Sequence, residues 1–241
     1  MQITDITISP STGQELLPGF SEDFPCIRSE VVFGKYNGGH APWHWHKAVE
    51  LFYIAEGELE YHTPGGRILF QEGSGGFVNS GVLHMTRPNL KKGETRQLLH
   101  LFDPYFICDS SGGILARKYI FPVVSSGVEF LTFSRNDPAE ADLLSLLEFS
   151  FSLEEGIFGY EFKLRSLISE MWLKILEKMP QPEKRADVSH VDDKLKRMMM
   201  FVHEHYGENI RTVDLQVLHL QVRENATVFF MIPFTAHRRN T

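Results

Sequence analysis

The stretch GGHAPWHWHKAVELFYIAEG, residues 38–57, sets two histidines one residue apart and a glutamate four residues further on: His44, His46 and Glu50. Side chains on a strand alternate between its faces, so an unbroken strand through this segment points all three the same way. Converging imidazoles and a carboxylate are ligands for Zn, Fe, Mn, Ni or Cu, and they leave room for water or a substrate. The same groups also suit a hydrogen-bonded polar pocket or the contact surface of a small-molecule effector. In that reading Trp43, Trp45 and Phe52 supply wall and core.

Residues 27 to about 133 must position these groups, and they read as short strands. IRSEVVFGKY, VELFYIAEGELEYHT, GRILFQEG, SGGFVNSG and RQLLHLFDP are rich in aromatic and β-branched residues and are broken by Gly, Pro or Asn. That texture predicts an antiparallel barrel or sandwich. From Asp137 it changes. DPAEADLLSLLEFSFSLEEG offers Asp137 as N-cap, Pro138 at N1 and Glu140 at N3 of a helix ending near Gly156. A second helix over 160–179 places Leu164, Ile168, Met171, Ile175 and Met179 on one face. MPQPEKRADVS then reads as a linker, and HVDDKLKRMMMFVHEHYGE as a third helix.

Composition limits the function classes. Hydrophobic residues at 42% and charged residues at 23% are ordinary for a soluble globular protein, and there is no run of about 18 apolar residues. Two cysteines and no basic-then-apolar leader predict a cytoplasmic, reduced protein with no membrane partner. The net charge is −7. From Glu183 onward there are nine Lys or Arg against eight Asp or Glu, which leaves fifteen against twenty-three before it. Neither part carries the strong positive charge of a nucleic-acid surface.

The opening motif resembles the first motif of the cupin superfamily, a glycine, HxH, a glutamate and a second glycine, met here by Gly38, His44, His46, Glu50 and Gly57. The second cupin motif is matched by Gly73, Gly81 and His84. Asn79 stands where proline is usual, and Asn89 lies one residue late. The resemblance implies a double-stranded β-helix (jelly-roll) barrel. It also implies that His44, His46, Glu50 and His84 would be the ligands if a divalent transition metal is bound. His62 and His100 follow no such pattern and are expected at the surface or satisfied in the core.

The order of barrel, helix pair, linker and LKRMMMFVHEHYGENIRTVDL is similar to the AraC (arabinose-regulator) family of bacterial transcription factors. HWHKAVELFYIAEGELEYHTPGG and GFVNSGVLHMTRP look like its sensor-barrel segments. The resemblance covers roughly residues 27–215. It implies an α+β chain: a cupin effector-binding barrel with an N-terminal arm at 1–136, amphipathic dimerisation helices at 137–180, a linker at 181–190, and the start of a helix-turn-helix domain at 191–215. A homodimer, a small-molecule effector (a sugar among the candidates) and DNA for the full-length ancestor follow from it. The effector pocket is expected at His44, His46, Glu50, His84 and Trp45.

After residue 215 the resemblance stops. Residues 214–241 can be written in codons such that restoring one base yields DLAGSAFTSERECYRVFHDTIHCTPAEY, with the small-residue helix, turn and recognition segment the family would supply. Residues 216–241 therefore read as an out-of-frame tail, and specific DNA binding is expected to be lost. The rival reading is a metal-dependent cupin enzyme, a dioxygenase or isomerase, using the same four ligands.

Overall fold

The computed structural model describes residues 3–17, 19–21, 23–108 and 113–179. The chain divides into two compact units, residues 1–188 and 189–241. The expected linker, helix-turn-helix start and out-of-frame tail lie outside the described residues.

The first unit begins with a small hairpin, β1 (Thr7–Ile8) and β2 (Glu15–Leu16), which forms the N-terminal arm. The strands that follow are β3 (Cys26–Val32), β4 (Ala41–His44), β5 (Val49–Glu56), β6 (Glu58–Thr63), β7 (Gly66–Gln71), β8 (Gly75–Val78), β9 (His84–Pro88), β10 (Arg96–Phe102) and β11 (Phe130–Phe133). They form two antiparallel sheets, one ordered β11-β8-β5-β10-β3 and the other β4-β9-β6-β7. From β3 to β6 and again from β7 to β10 consecutive strands alternate between the sheets, with β6 and β7 paired as neighbours in one sheet, in keeping with the jelly-roll expectation. A short α1 (Phe121–Val124) precedes β11, and α2 (Pro138–Ser150) and α3 (Tyr160–Lys178) complete the unit.

Strand β5 shows why the sequence reads as it does. Val49, Leu51 and Tyr53 join one core cluster with the helices, whereas Phe52 and Ile54 join a second cluster between the sheets. A strand covered on both faces is continuously apolar rather than alternating, and VELFYI is buried throughout. Glu50 is the exception, and it faces the inter-sheet side. Gly57 makes the β5–β6 turn at φ 78°, where a Cβ would stand 2.4 Å from the Glu94 carbonyl oxygen.

The helix pair is attached to the barrel of its own chain. Leu143, Leu144 and Leu147 of α2 and Leu164, Ile168, Met171, Trp172 and Ile175 of α3 share a buried cluster with Val49, Leu51, Phe77 and Phe102. The apolar stripe read from the sequence is therefore covered within the chain. The opposite face of α3 leaves Phe162 and Leu173 exposed. Asp137 caps α2 by accepting from the Ala139 amide at 2.9 Å. Glu140 accepts instead from the Ser134 amide at 2.7 Å and pairs with Lys178, which ties the helix start to α3. Arg28 of β3 donates to the carbonyls of Ser150 (3.1 Å) and Leu153 (2.5 Å), so a cation sits at the negative end of α2. Cys26 and Cys108 are buried thiols. No helix among the described residues is long and apolar enough to cross a membrane.

Candidate metal and effector site

His44 ends β4, His84 opens β9, and the two are cross-strand partners. The single strand expected through residues 44–50 does not form. After His44 the chain leaves the four-stranded sheet, and it enters the five-stranded sheet at Val49. His46 lies in this link, which is held by the Gly81 amide on the His46 carbonyl (2.8 Å) and by Ser80 Oγ on the Lys47 carbonyl (2.7 Å). Convergence of the three groups comes from the crossing between sheets, with strand alternation contributing only locally.

The ring nitrogens of His44, His46 and His84 lie within 4.8 Å of one another, and all three residues are buried. Each Nδ1 faces a backbone carbonyl two residues away: Pro42 at 2.7 Å, Ala48 at 2.8 Å and Val82 at 2.9 Å. A carbonyl only accepts, so each Nδ1 carries the proton. A neutral ring then turns the Nε2 lone pair inward. Metal-ligating histidines are oriented by this same backbone contact.

Glu50 meets the imidazoles from the opposite sheet. Its Oε1 accepts from the Tyr61 hydroxyl and from Gln97 Nε2 at 3.3 Å. Its Oε2 lies 3.6 Å from His46 Nε2 and 3.5 Å from His84 Nε2. Burial opposes the charge on Glu50, yet its contacts with His46 and His84 hold the carboxyl well below the usual range. Burial likewise opposes a proton on His46, and the Glu50 and Glu15 carboxyls outweigh it, so its pKa is raised. His44 is pushed down by burial and by the two neighbouring histidines, and it stays neutral.

The sequence reading missed Glu15, Tyr61 and Gln97. Gln97 is a polar residue inside the apolar run of β10, and Tyr61 is the inward position of β6; both were signals. Glu15 carried none. It belongs to the arm, is 6% exposed, and brings Oε2 to 3.6 Å from His44 Nε2. Burial pushes its carboxyl up to about 7, with His46 opposing and Glu50 adding to the rise.

The residues fit a divalent transition metal. The donor set is three Nε2 lone pairs with the Glu50 carboxylate beside them, and the buried His46 Nε2 has no hydrogen-bond partner. Tyr36 Oη, which lines the same cavity, is also without one. The cavity is about 40 Å³, bounded on the arm side by Ile3, Ile6 and Glu15. It accommodates an ion with a water or two, whereas pockets for organic ligands run to about 300–1,000 Å³.

Trp45 does not line this cavity. As the residue between two inward histidines it points the other way, and its indole Nε1 donates to the Thr12 carbonyl at 2.8 Å. It supports the arm. Asn79, in the place of the usual proline, is buried, and its amide donates to the carbonyls of Val123 (2.9 Å) and Val128 (3.0 Å). His62 pairs with Glu60 at 3.0 Å near the surface, and His100 is fully buried against Ser150.

The family-model match agrees with the barrel. Residues 35–98 match the family model described as Cupin domain. An "Uncharacterized HTH-type transcriptional regulator YdeC" of Bacillus subtilis (strain 168) is 22% identical over 204 residues, which is 84% of this chain and 69% of the relative. Among solved structures, ToxT from Vibrio cholerae O395 bound to (E)-4-(8-methylnaphthalen-1-yl)but-3-enoic acid is similar at TM-score 0.42 and 13% identity, covering 87% of this chain and 78% of that one. The AraC-like transcriptional activator CuxR is similar at TM-score 0.40 and 11% identity, covering 73% and 58%. The barrel thus carries a matched cupin domain at residues 35–98, and over 204 residues the chain is similar to an HTH-type transcriptional regulator.

Proposed function

We propose that the chain is a ligand-responsive transcriptional regulator of AraC type that senses its effector in the cupin barrel and is not an enzyme. The observation that carries this reading is where the polar site lies: a buried cluster of His44, His46, His84 and Glu50, with arm residues lining one side. On the other face of the same sheet, Val49 and Leu51 pack on the helix pair. One strand, β5, thus carries the ligand-facing Glu50 and the helix-facing Val49 and Leu51 on its two faces. Occupancy of the site shifts the helices only by the difference in affinity between the two arrangements.

With the arm seated, the cavity is sized for an ion and water. A sugar would need the arm to lift. Contact with a second copy of the chain falls to faces other than the apolar stripe, such as the exposed Phe162 and Leu173 of α3. The whole chain, fused to a DNA-binding domain that acts only as a dimer, tests the reading. Reporter output should change with metal or small-molecule supply in the cell and cease to change in a His46→Ala fusion. Output that is identical under every supply condition sinks it.

The complete ligand set also supports a second reading, a metal-dependent cupin enzyme. A catalytic metal keeps one coordination position open to substrate. Turnover of an organic substrate by metal-loaded protein would decide for the enzyme.

A further inference from the structure

We propose that Glu15 is a fifth ligand carried by the N-terminal arm, so that a divalent transition-metal ion held by His44, His46, His84 and Glu50 fastens residues 3–17 onto the barrel. The metal ion itself is then the sensed effector. This inference rests on the reading of the site as a metal centre.

The arm is positioned to deliver one group and little else. Its register against the barrel is set by the Glu15 amide on the Trp45 carbonyl (2.8 Å), the Trp45 amide on the Gly13 carbonyl (3.3 Å) and the Trp45 indole on the Thr12 carbonyl. Further back, the Ile3 amide donates to Ser29 Oγ at 3.0 Å and the Asn37 amide to the Thr4 carbonyl at 2.8 Å. Of the two residues of β2, Leu16 is 51% exposed and Glu15 is 6% exposed. The apolar residue faces outward and the acid faces the core, the reverse of what burial alone selects. A buried carboxylate needs a partner of opposite charge to stay ionised. The arm aims Glu15 at His44 Nε2, 3.6 Å away, in a cavity that also holds the unpartnered His46 Nε2 and Tyr36 Oη.

Charge balance supports the assignment. Once a metal displaces the protons of Glu15 and His46, two carboxylates and three neutral imidazoles carry −2, which a divalent cation neutralises. Glu15 adds its donor on the arm side of the site, where Ile3 and Ile6 also bound the cavity. Metal and arm are therefore linked: each stabilises the bound position of the other by the same factor.

The test uses the full chain, its Glu15→Gln variant and its His46→Ala variant. Affinity for Zn²⁺, Co²⁺ and Mn²⁺ is measured by chelator competition, and amide hydrogen exchange is followed in residues 3–17 with and without metal. Exchange in β10 serves as the control for an intact fold. Metal should slow exchange of the wild-type arm. The Glu15→Gln variant should bind about tenfold more weakly or worse. It should also lose the metal-dependent protection of residues 3–17 while β10 stays protected. Equal affinity in wild type and Glu15→Gln, or an arm indifferent to metal, overturns the proposal and leaves the four-ligand centre standing, provided that His46→Ala abolishes binding. No metal binding by the wild-type chain overturns both.

Discussion

His100 gives the sharpest quantitative expectation. It lies on β10 with 0% exposure, and its Nε2 is 2.6 Å from Ser150 Oγ at the end of α2. Ser150 Oγ already donates to the Leu147 carbonyl at 2.6 Å, so the ring must donate from Nε2, and Nδ1 is left without a partner. A second proton on Nδ1 would be buried and unsatisfied beside Arg28, the cross-strand neighbour. Burial first, and Arg28 second, push the pKa from the ordinary 6.5 to about 3. The unfolded chain takes up this proton as pH falls below 6.5 and the folded chain does not, so stability is full above 6.5 and is lost toward pH 3. Over the roughly 1.5 units between 6.5 and pH 5, at about 1.4 kcal/mol per unit, the loss is about 2 kcal/mol. The perturbation is His100→Gln, which keeps an amide donor for Ser150 and removes the titration. Urea unfolding of both proteins at pH 7.5 and pH 5 provides the assay. The advantage of wild type over variant should shrink by about 2 kcal/mol at the lower pH. Glu15 and the other titrating groups are common to both proteins and cancel in the comparison. An advantage that is the same at both pH values would refute the assignment of a neutral, buried His100.

Three further outcomes follow from the packing. Arg28→Ala removes charged donors from the Ser150 and Leu153 carbonyls and from Glu155; a loss of about 2–3 kcal/mol is expected by urea unfolding, with exchange rising first in the α2–α3 connection. Gly57→Ala forces a Cβ to within 2.4 Å of the Glu94 carbonyl at φ 78°; at least about 2 kcal/mol should be lost in thermal unfolding, and an unchanged midpoint would contradict this turn geometry. Asn79→Pro restores the residue usual for the cupin motif yet removes the amide that holds the Val123 and Val128 carbonyls and the N–H that reaches the Glu129 carbonyl. Destabilisation by about 2–3 kcal/mol is expected, and a stabilised variant would show that residues 121–130 do not depend on Asn79.

Much of the barrel was legible because its signals are local. Glycines at Gly38, Gly57, Gly73 and Gly81 adopt positive φ in the structure, a conformation glycine reaches without strain. Asp137 and Pro138 announced the start of α2, and spacings of four and three gave the buried face of α3. The chemistry of the HxH segment was also readable, since residue type alone restricts the ligands. The way His44, His46 and Glu50 come together was not. The chain changes sheets between them, and strand alternation is silent about a crossing.

By itself the sequence determined the order of barrel and helices, the imidazole-rich strand end and the caps, because each depends on neighbours within a few residues. The tertiary structure alone decided that Glu15 turns inward from the arm, that Trp45 turns outward to hold it, and that Tyr61 and Gln97 fix one oxygen of Glu50. It also decided that the apolar stripe of α3 is covered by its own barrel. These are contacts between segments far apart in sequence. They follow from which surfaces exclude water together, and no local pattern records that choice.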